Sequence, residues 1–182
     1  MRKMIAVFLA MGFEEIEALA VVDVLRRAEL DVVTVGVGGP VVRGSHGVTV
    51  AADIPDGEFD PSAAQAIVLP GGMPGTLNLE RSPVVQAALD SAAERGAWIA
   101  AICAAPSILG HRGMLKGKKA VCFPGYEQEL EGAILTGEPV EADGRLITAR
   151  GAGVAVEFGL RIVAEMISPE RAETMKAAMQ CR

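Results

Sequence analysis

Trp98-Ile99-Ala100-Ala101-Ile102-Cys103-Ala104-Ala105-Pro106 is the stretch that decides the fold. Five apolar residues run without a polar interruption into Cys103, and small residues follow. An apolar run of that length reads as a strand buried on both faces. The spacing then predicts a short helix over Ala104–Leu109. A strand that turns at once into a helix belongs to a sheet with helices packed against it.

The same alternation extends outward. Met4–Leu9 and Asp31–Val37 read as strands around a helix over Glu14–Ala28, with Ile16, Leu19, Ala20, Val24 and Leu25 assigned to its buried side. Val41–Arg43 and Val48–Ala51 are expected to be short antiparallel strands around Gly44–Gly47. Ala66–Leu69 is a strand ending in Pro70-Gly71-Gly72, and Pro83–Arg95 is a helix stopped by Gly96. Beyond Lys118 the pattern is less regular. It predicts a strand over Ala120–Phe123, a hairpin of Pro139–Glu141 and Arg145–Thr148, and a helix ending at Met166. Ser168 is set to cap a last helix, with Pro169 at its first position. The expectation is one domain over residues 1–182, an α/β fold with a mostly parallel central sheet and helices on both faces.

Composition narrows the function. Hydrophobic residues make up 51% of the chain and aromatics 4%, so the core must be aliphatic. The net charge is −6 with no run of Lys or Arg, which argues against direct nucleic-acid binding. No apolar stretch reaches the roughly 18 residues of a membrane span. The apolar run near the N-terminus ends in Glu14, Glu15 and Glu17, so it reads as a first buried strand rather than a signal peptide, and the expected location is cytoplasmic. Three cysteines and two histidines, with no CxxC, make neither a disulfide framework nor a zinc site.

In such a sheet ligands bind outside the carboxyl ends of the strands. Gly12–Glu17, Pro70–Pro74 and Ile102–Pro106 fall there. Cys103 occupies a sharp strand-to-helix turn with small neighbours, an arrangement with the logic of a nucleophile elbow. A helix start favours thiolate over thiol, and the Ala104 amide is placed to stabilise an oxyanion. A buried structural thiol explains the same position equally well. Gly72 offers a second amide, or simply a tight turn. Glu14 and Glu15 read as ordinary complements to a helix dipole. Glu17 lies near the apolar side; partial burial beside a thiolate would raise its pKa, although the residues alone favour a solvated face. His46 and His111 read as surface residues, Cys122 as a packed strand residue, and Cys181 as exposed.

Taken together, five segments resemble the DJ-one branch of the ThiJ/PfpI superfamily. They are Gly12-Phe13-Glu14-Glu15-Ile16-Glu17, Val22-Asp23-Val24-Leu25-Arg26-Arg27, Val68-Leu69-Pro70-Gly71-Gly72, Ala100-Ala101-Ile102-Cys103-Ala104-Ala105-Pro106 and Leu146-Ile147-Thr148-Ala149-Arg150-Gly151. Singly each is modest; in this order and spacing they are specific, and they cover nearly the whole chain. The resemblance implies a flavodoxin-like sandwich and a homodimer. It makes Cys103 the nucleophile, Glu17 its protonated carboxyl partner, and the amides of Gly72 and Ala104 the oxyanion donors. It sets Arg27 on the dimer-side wall of the pocket. Two positions depart from the pattern: Phe123 stands where some members carry a histidine before the proline, and His46 replaces a family arginine.

The implied activity is cofactor-independent chemistry on small α-oxoaldehydes, such as methylglyoxal and glyoxal, or on their early adducts with amines. The alternative is a redox-responsive chaperone or oxidative-stress sensor acting through oxidation of Cys103.

Overall fold

The computed structural model describes residues 3–181. Eleven strands and six helices follow one another as β1 (Met4–Leu9), α1 (Glu15–Arg27), β2 (Val32–Gly36), β3 (Val41–Arg43), β4 (Thr49–Ala51), β5 (Ile54–Pro55), β6 (Ala64–Leu69), α2 (Gly75–Arg81), α3 (Pro83–Arg95), β7 (Trp98–Ile102), α4 (Pro106–His111), β8 (Lys119–Ala120), β9 (Ile134–Leu135), β10 (Val140–Asp143), β11 (Leu146–Ala149), α5 (Ala155–Met166) and α6 (Pro169–Ala178). Seven strands form one sheet in the order β10-β11-β7-β6-β1-β2-β5. All its pairings are parallel except that of β10 with β11.

The period of two along a strand divides the core into two layers. β1 sends Ile5, Val7 and Leu9 to one face, where they meet Val21 and Leu25 of α1 and Phe158 of α5. It sends Ala6 and Phe8 to the other face, with Leu89 of α3 and Ile108 of α4. The result is the expected α/β sandwich. Helix ends follow the sequence signals: Gly96 closes α3 in a left-handed conformation, and the Ser168 side chain accepts from the Arg171 amide at the start of α6. Among the described residues, no helix is long and apolar enough to cross a membrane.

Two expectations need correction, and three short elements escape the pattern. The buried face of α1 is carried by Glu15, Glu17, Ala18, Val21, Val22, Val24 and Leu25, whereas Ile16 is 57% and Leu19 37% exposed. The helix is turned so that two carboxyl groups, not two aliphatic chains, point inward, because both carboxyls find hydrogen-bond donors there. The strand expected over Ala120–Phe123 stops at Ala120. Beyond it the Val121 amide donates to the Thr148 hydroxyl and the Phe123 amide to the Cys103 carbonyl, so the backbone is satisfied outside any ladder. Finally, α2 and the two-residue strands β5 and β9 are too short for periodicity to reveal.

Candidate active site

The carboxyl ends of β1, β6 and β7 converge on one point. Cys103 follows β7 directly and has φ +66°, a left-handed conformation that a non-glycine residue rarely adopts. Both its backbone groups are tied: its amide donates to the Ala149 carbonyl at 2.8 Å, and its carbonyl accepts from the Phe123 amide at 2.8 Å. Those bonds hold a geometry that by itself costs on the order of 1–3 kcal/mol. The thiol is thereby presented at the head of the turn, as in a nucleophile elbow.

Glu17 reaches the same point from the first turn of α1. Its side chain is 1% exposed, and its Oε2 accepts from the Gly71 amide at 2.8 Å. Glu14 caps the helix, its Oε2 accepting from the Glu17 amide at 2.8 Å, while its own amide donates to the Gly71 carbonyl at 2.9 Å. Gly71 and Gly72 make this meeting possible. A Cβ on Gly71 would lie 2.7 Å from both Cys103 Cβ and Glu17 Oε2. One on Gly72, which has φ +89°, would lie 2.4 Å from the Glu14 nitrogen. No side chain fits either gap, so the Gly-Gly pair is what allows acid, thiol and amides to share one pocket.

The charge state follows from these neighbours. Burial lifts the Glu17 carboxyl to about 7, against the smaller opposing effects of its bonds to Cys103 and Gly71. Its second oxygen, Oε1, is buried with no hydrogen-bond partner of good geometry. Burial also pushes the Cys103 thiol up to about 12, helped by the charge and hydrogen bond of Glu17. The amides of Ala104 and Gly72 act on sulfur in the opposite sense and are outweighed. The two shifts describe one fact: two acids in a dry pocket share a single negative charge. The expected helix-driven thiolate is therefore corrected. α4 starts only at Pro106 and has six residues, and the carboxylate beside the sulfur outweighs the two amides.

Cys103, Glu17, Gly72 and Ala104 are thus brought together, and Glu17 is not on a solvated face. Phe123 borders the group: its amide holds Cys103, its ring is 3.3 Å from where a Cβ on Gly151 would stand, and its side chain is half exposed. Arg27 is not part of it. That residue is at the far end of α1, ten positions or about 15 Å beyond Glu17, and its Nε donates to Asp23 at 2.7 Å. His46 is outside as well, on the hairpin of β3 and β4. Its ring is exposed and its Nδ1 lies 3.0 Å from Glu15 Oε2.

Glu15 overturns its reading as a solvated dipole complement. It is 7% exposed, and its carboxylate accepts from the amides of His46 at 2.7 Å and Val48 at 3.3 Å and from the Ser45 hydroxyl at 3.3 Å. Burial acts to raise its pKa, but the bonds from His46, Val48 and its own amide hold it down at about 2. Glu14, Glu15 and His46 form a group whose donor atoms lie within 4.8 Å of one another, close enough for a metal ion, although Glu15 already serves these hairpin donors. Cys122 is buried and packed as expected, but it lies just beyond β8 and not in a strand. Cys181 is half-buried rather than exposed, because it packs on the edge of the core beside α5 and α6. In Pro70-Gly71-Gly72 the first glycine, which sequence reasoning passes over in favour of the second, supplies the amide that binds Glu17.

A flavodoxin-like sandwich with a cysteine elbow facing a buried glutamate defines a class, and comparison with known proteins gives it a name. The model of the DJ-1/PfpI family matches residues 3–165. Drosophila melanogaster DJ-1beta is 36% identical over 176 residues, covering 95% of this chain and 94% of that protein. Its crystal structure superposes with a TM-score of 0.92 at 34% identity over the full length of both chains. The Caenorhabditis elegans glutathione-independent glyoxalase DJR-1.2 is 30% identical over 163 residues, 89% of this chain and 87% of that one. Arabidopsis thaliana DJ-1 homolog B is 33% identical over 99% of this chain, which spans only 42% of that longer protein. The chain belongs to the DJ-1/PfpI family, in its DJ-1 branch.

Proposed function

We propose that the protein is a cofactor-independent glyoxalase that converts methylglyoxal or glyoxal to the corresponding 2-hydroxy acid, and that it also acts on their early amine adducts once the hemiaminal has broken its carbon–nitrogen bond, releasing the amine and the free aldehyde, which then follows the same steps. The observation that carries this is the unpartnered Oε1 of Glu17 in a pocket shared with the Cys103 thiol. A carboxyl tuned to about 7 suits a group that must both take and give protons near neutrality. The likeness to a relative named a glutathione-independent glyoxalase supports the reading.

The steps balance without an external electron carrier. Cys103 sulfur adds to the aldehyde carbon while its proton passes to Glu17. Glu17 returns that proton to the new alkoxide, leaving a neutral hemithioacetal. The carboxylate then removes the hydrogen on the former aldehyde carbon, giving an enediolate whose oxyanion the amides of Gly72 and Ala104 stabilise. Glu17 delivers the proton to the adjacent carbon as the hydroxyl proton shifts between the two oxygens. The product is a 2-hydroxyacyl thioester, which water hydrolyses to the free acid and the thiol. One carbon is oxidised and its neighbour reduced within the substrate.

Steady-state lactate formation from methylglyoxal is the test. Wild type turns over; Cys103→Ser and Glu17→Gln each lose at least about a hundredfold, the scale of a lost acid–base group. Retention of wild-type turnover by Cys103→Ser would sink the proposal.

A second reading rests on the same groups: oxidation of Cys103 to the sulfinate, as a stress sensor or redox-responsive chaperone. Protonated Glu17 Oε1 and the two amides supply donors for the added oxygens. Intact-mass and peptide analysis after mild peroxide distinguishes it, with two oxygens gained at Cys103 alone and negligible aldehyde turnover. We further propose that the protein is a cytoplasmic homodimer. Exposed apolar side chains on the β1–α1 loop (Met11), on α1 (Ile16 and Leu19) and on the β3–β4 hairpin (Val41 and Val48) support this. Sedimentation of Ile16→Glu as a monomer, against a wild-type dimer, checks this.

A further inference from the structure

At the opposite end of the sheet lies a second polar feature. Lys3, Arg95 and Arg145 line a cavity of about 330 Å³ together with Gln65 and Trp98. These residues sit at or just before the amino ends of β1, β6, β7 and β11. No carboxylate lines the cavity. Among the described residues, none of the three cations forms an ion pair. Asp60 feels the charge of Arg95 at longer range, but it is fully exposed and is held low first by the Ser62 amide and hydroxyl.

Two of the cations are held in place without being neutralised. The Arg145 guanidinium lies 4.6 Å from the centre of the Trp98 ring. Arg95 Nη2 donates to the Pro61 and Ala64 carbonyls at 2.8 Å, and its Nε to the Ser91 hydroxyl at 3.1 Å. Carbonyls and a hydroxyl orient the group but leave its charge uncompensated. Three like charges around one concavity repel one another, and they do so in a chain of net charge −6. An anion relieves that repulsion: the planar fork of Arg145 suits phosphate oxygens, and Arg95, whose Nε and Nη2 are already engaged, still offers Nη1.

We infer that this cavity is a binding site for a phosphate-bearing anion, held by Lys3, Arg95 and Arg145 against Trp98. It is separate from the cysteine pocket: Trp98 opens β7 and Cys103 follows its last residue, about 16 Å apart at strand rise.

Trp98 is the chain's single tryptophan, so its fluorescence reports on this cavity alone. The probe is pyrophosphate, titrated at constant ionic strength, with phosphorus NMR line broadening as a second readout. The expected result is a saturable change, unaltered in Cys103→Ser. Arg145→Gln weakens binding about tenfold and Lys3→Gln about threefold, both judged by phosphorus NMR because Arg145 itself touches the indole. ATP that binds as tightly as pyrophosphate or tighter, with adenosine inert, identifies a phosphorylated metabolite as the source; a preference for inorganic pyrophosphate identifies the free anion. Three outcomes overturn the inference. These are a non-saturating change, one reproduced by sodium chloride at equal ionic strength, or binding lost in Cys103→Ser and kept in Arg145→Gln.

Discussion

Glu15 and Glu17 are two residues apart on one helix, both buried, and their carboxyls are driven in opposite directions: one to about 2, the other to about 7. Glu15 faces the β3–β4 hairpin, where amides, a hydroxyl and an imidazole converge on its two oxygens. Glu17 faces the sheet, where one amide meets Oε2 and Oε1 has nothing but the neighbouring thiol pocket. Burial penalises charge in both places; the number of donors decides which penalty is overcome. The hairpin side is therefore built for stability. The sheet side holds an acid poised to exchange its proton, which is what the proposed chemistry needs.

The harshest way to break this contrast is at the junction that keeps the sheet side closed. Gly72→Ala drives a Cβ into the Glu14 backbone from a left-handed φ, and is expected to destabilise by more than about 3 kcal/mol in urea unfolding. A loss under about 1 kcal/mol would mean the loops yield, and Glu17 is not held as tightly as described.

Glu17→Gln should do the reverse. The folded pKa of Glu17 lies above the ordinary carboxyl value of 4.5, so the folded state binds more protons than the unfolded state between pH 4.5 and about 7. Stability then falls as pH rises through that window and stays low above it. Replacing the acid removes the penalty. The variant is expected to gain about 2 kcal/mol at mildly alkaline pH and nothing below pH 4.5. It should also lower the Cys103 pKa from about 12, because the charge and hydrogen bond of Glu17 raise it. Iodoacetamide alkylation at alkaline pH should accordingly be faster in Glu17→Gln. Slower alkylation would place the shared negative charge on sulfur instead of on the carboxylate.

Glu15→Gln tests the other side, with the opposite sign. A folded pKa of about 2, below 4.5, contributes stability that is fully present above pH 4.5 and is lost as pH falls towards 2. Gln keeps one carbonyl oxygen to accept from the hairpin donors, so the expected loss is about 1 kcal/mol at neutral pH. Thermal melts of both proteins should converge as pH falls towards 2. The smallest effect belongs to His46→Asn. The ring gives the largest single bond that holds Glu15 ionised, but it is exposed to solvent that screens it, the Asn side chain can donate in its place, and the His46 amide that serves Glu15 is kept. Its change should stay within about 0.5 kcal/mol; a larger one would make the imidazole, not the amides, the main support of Glu15.

Much of the fold was legible because it rests on local patterns. β7 and α3 have the limits that their apolar runs and breakers imply, and Gly96 and Ser168 act as the caps they resemble. The place of the elbow was legible in the same way, from an apolar run that meets small residues at Cys103; that its cysteine is more than a buried structural thiol was not, because both fit that position equally well. The buried face of α1 was not. Ile16 and Leu19 fit an apolar stripe as well as Ala18 and Val21 do, and only the hairpin and the Gly71 loop reveal that carboxyls occupy the inner positions. The strand expected at Ala120–Phe123 failed for a similar reason: its amides are claimed by Thr148 and Cys103, both distant in sequence.

By itself, then, the sequence determined the order of the longer strands and helices, the parallel sheet, and the place of Cys103, Gly72 and Ala104 at its carboxyl edge. Those follow from periodicity, breakers and chirality, which act over a few residues. Only the tertiary structure decided the charges. Whether Glu15 is ionised, whether Glu17 holds a proton, and whether Cys103 is thiol or thiolate depend on which donors arrive from elsewhere in the chain and how much water they exclude. That is a property of the assembled pocket, and no short stretch of sequence contains it.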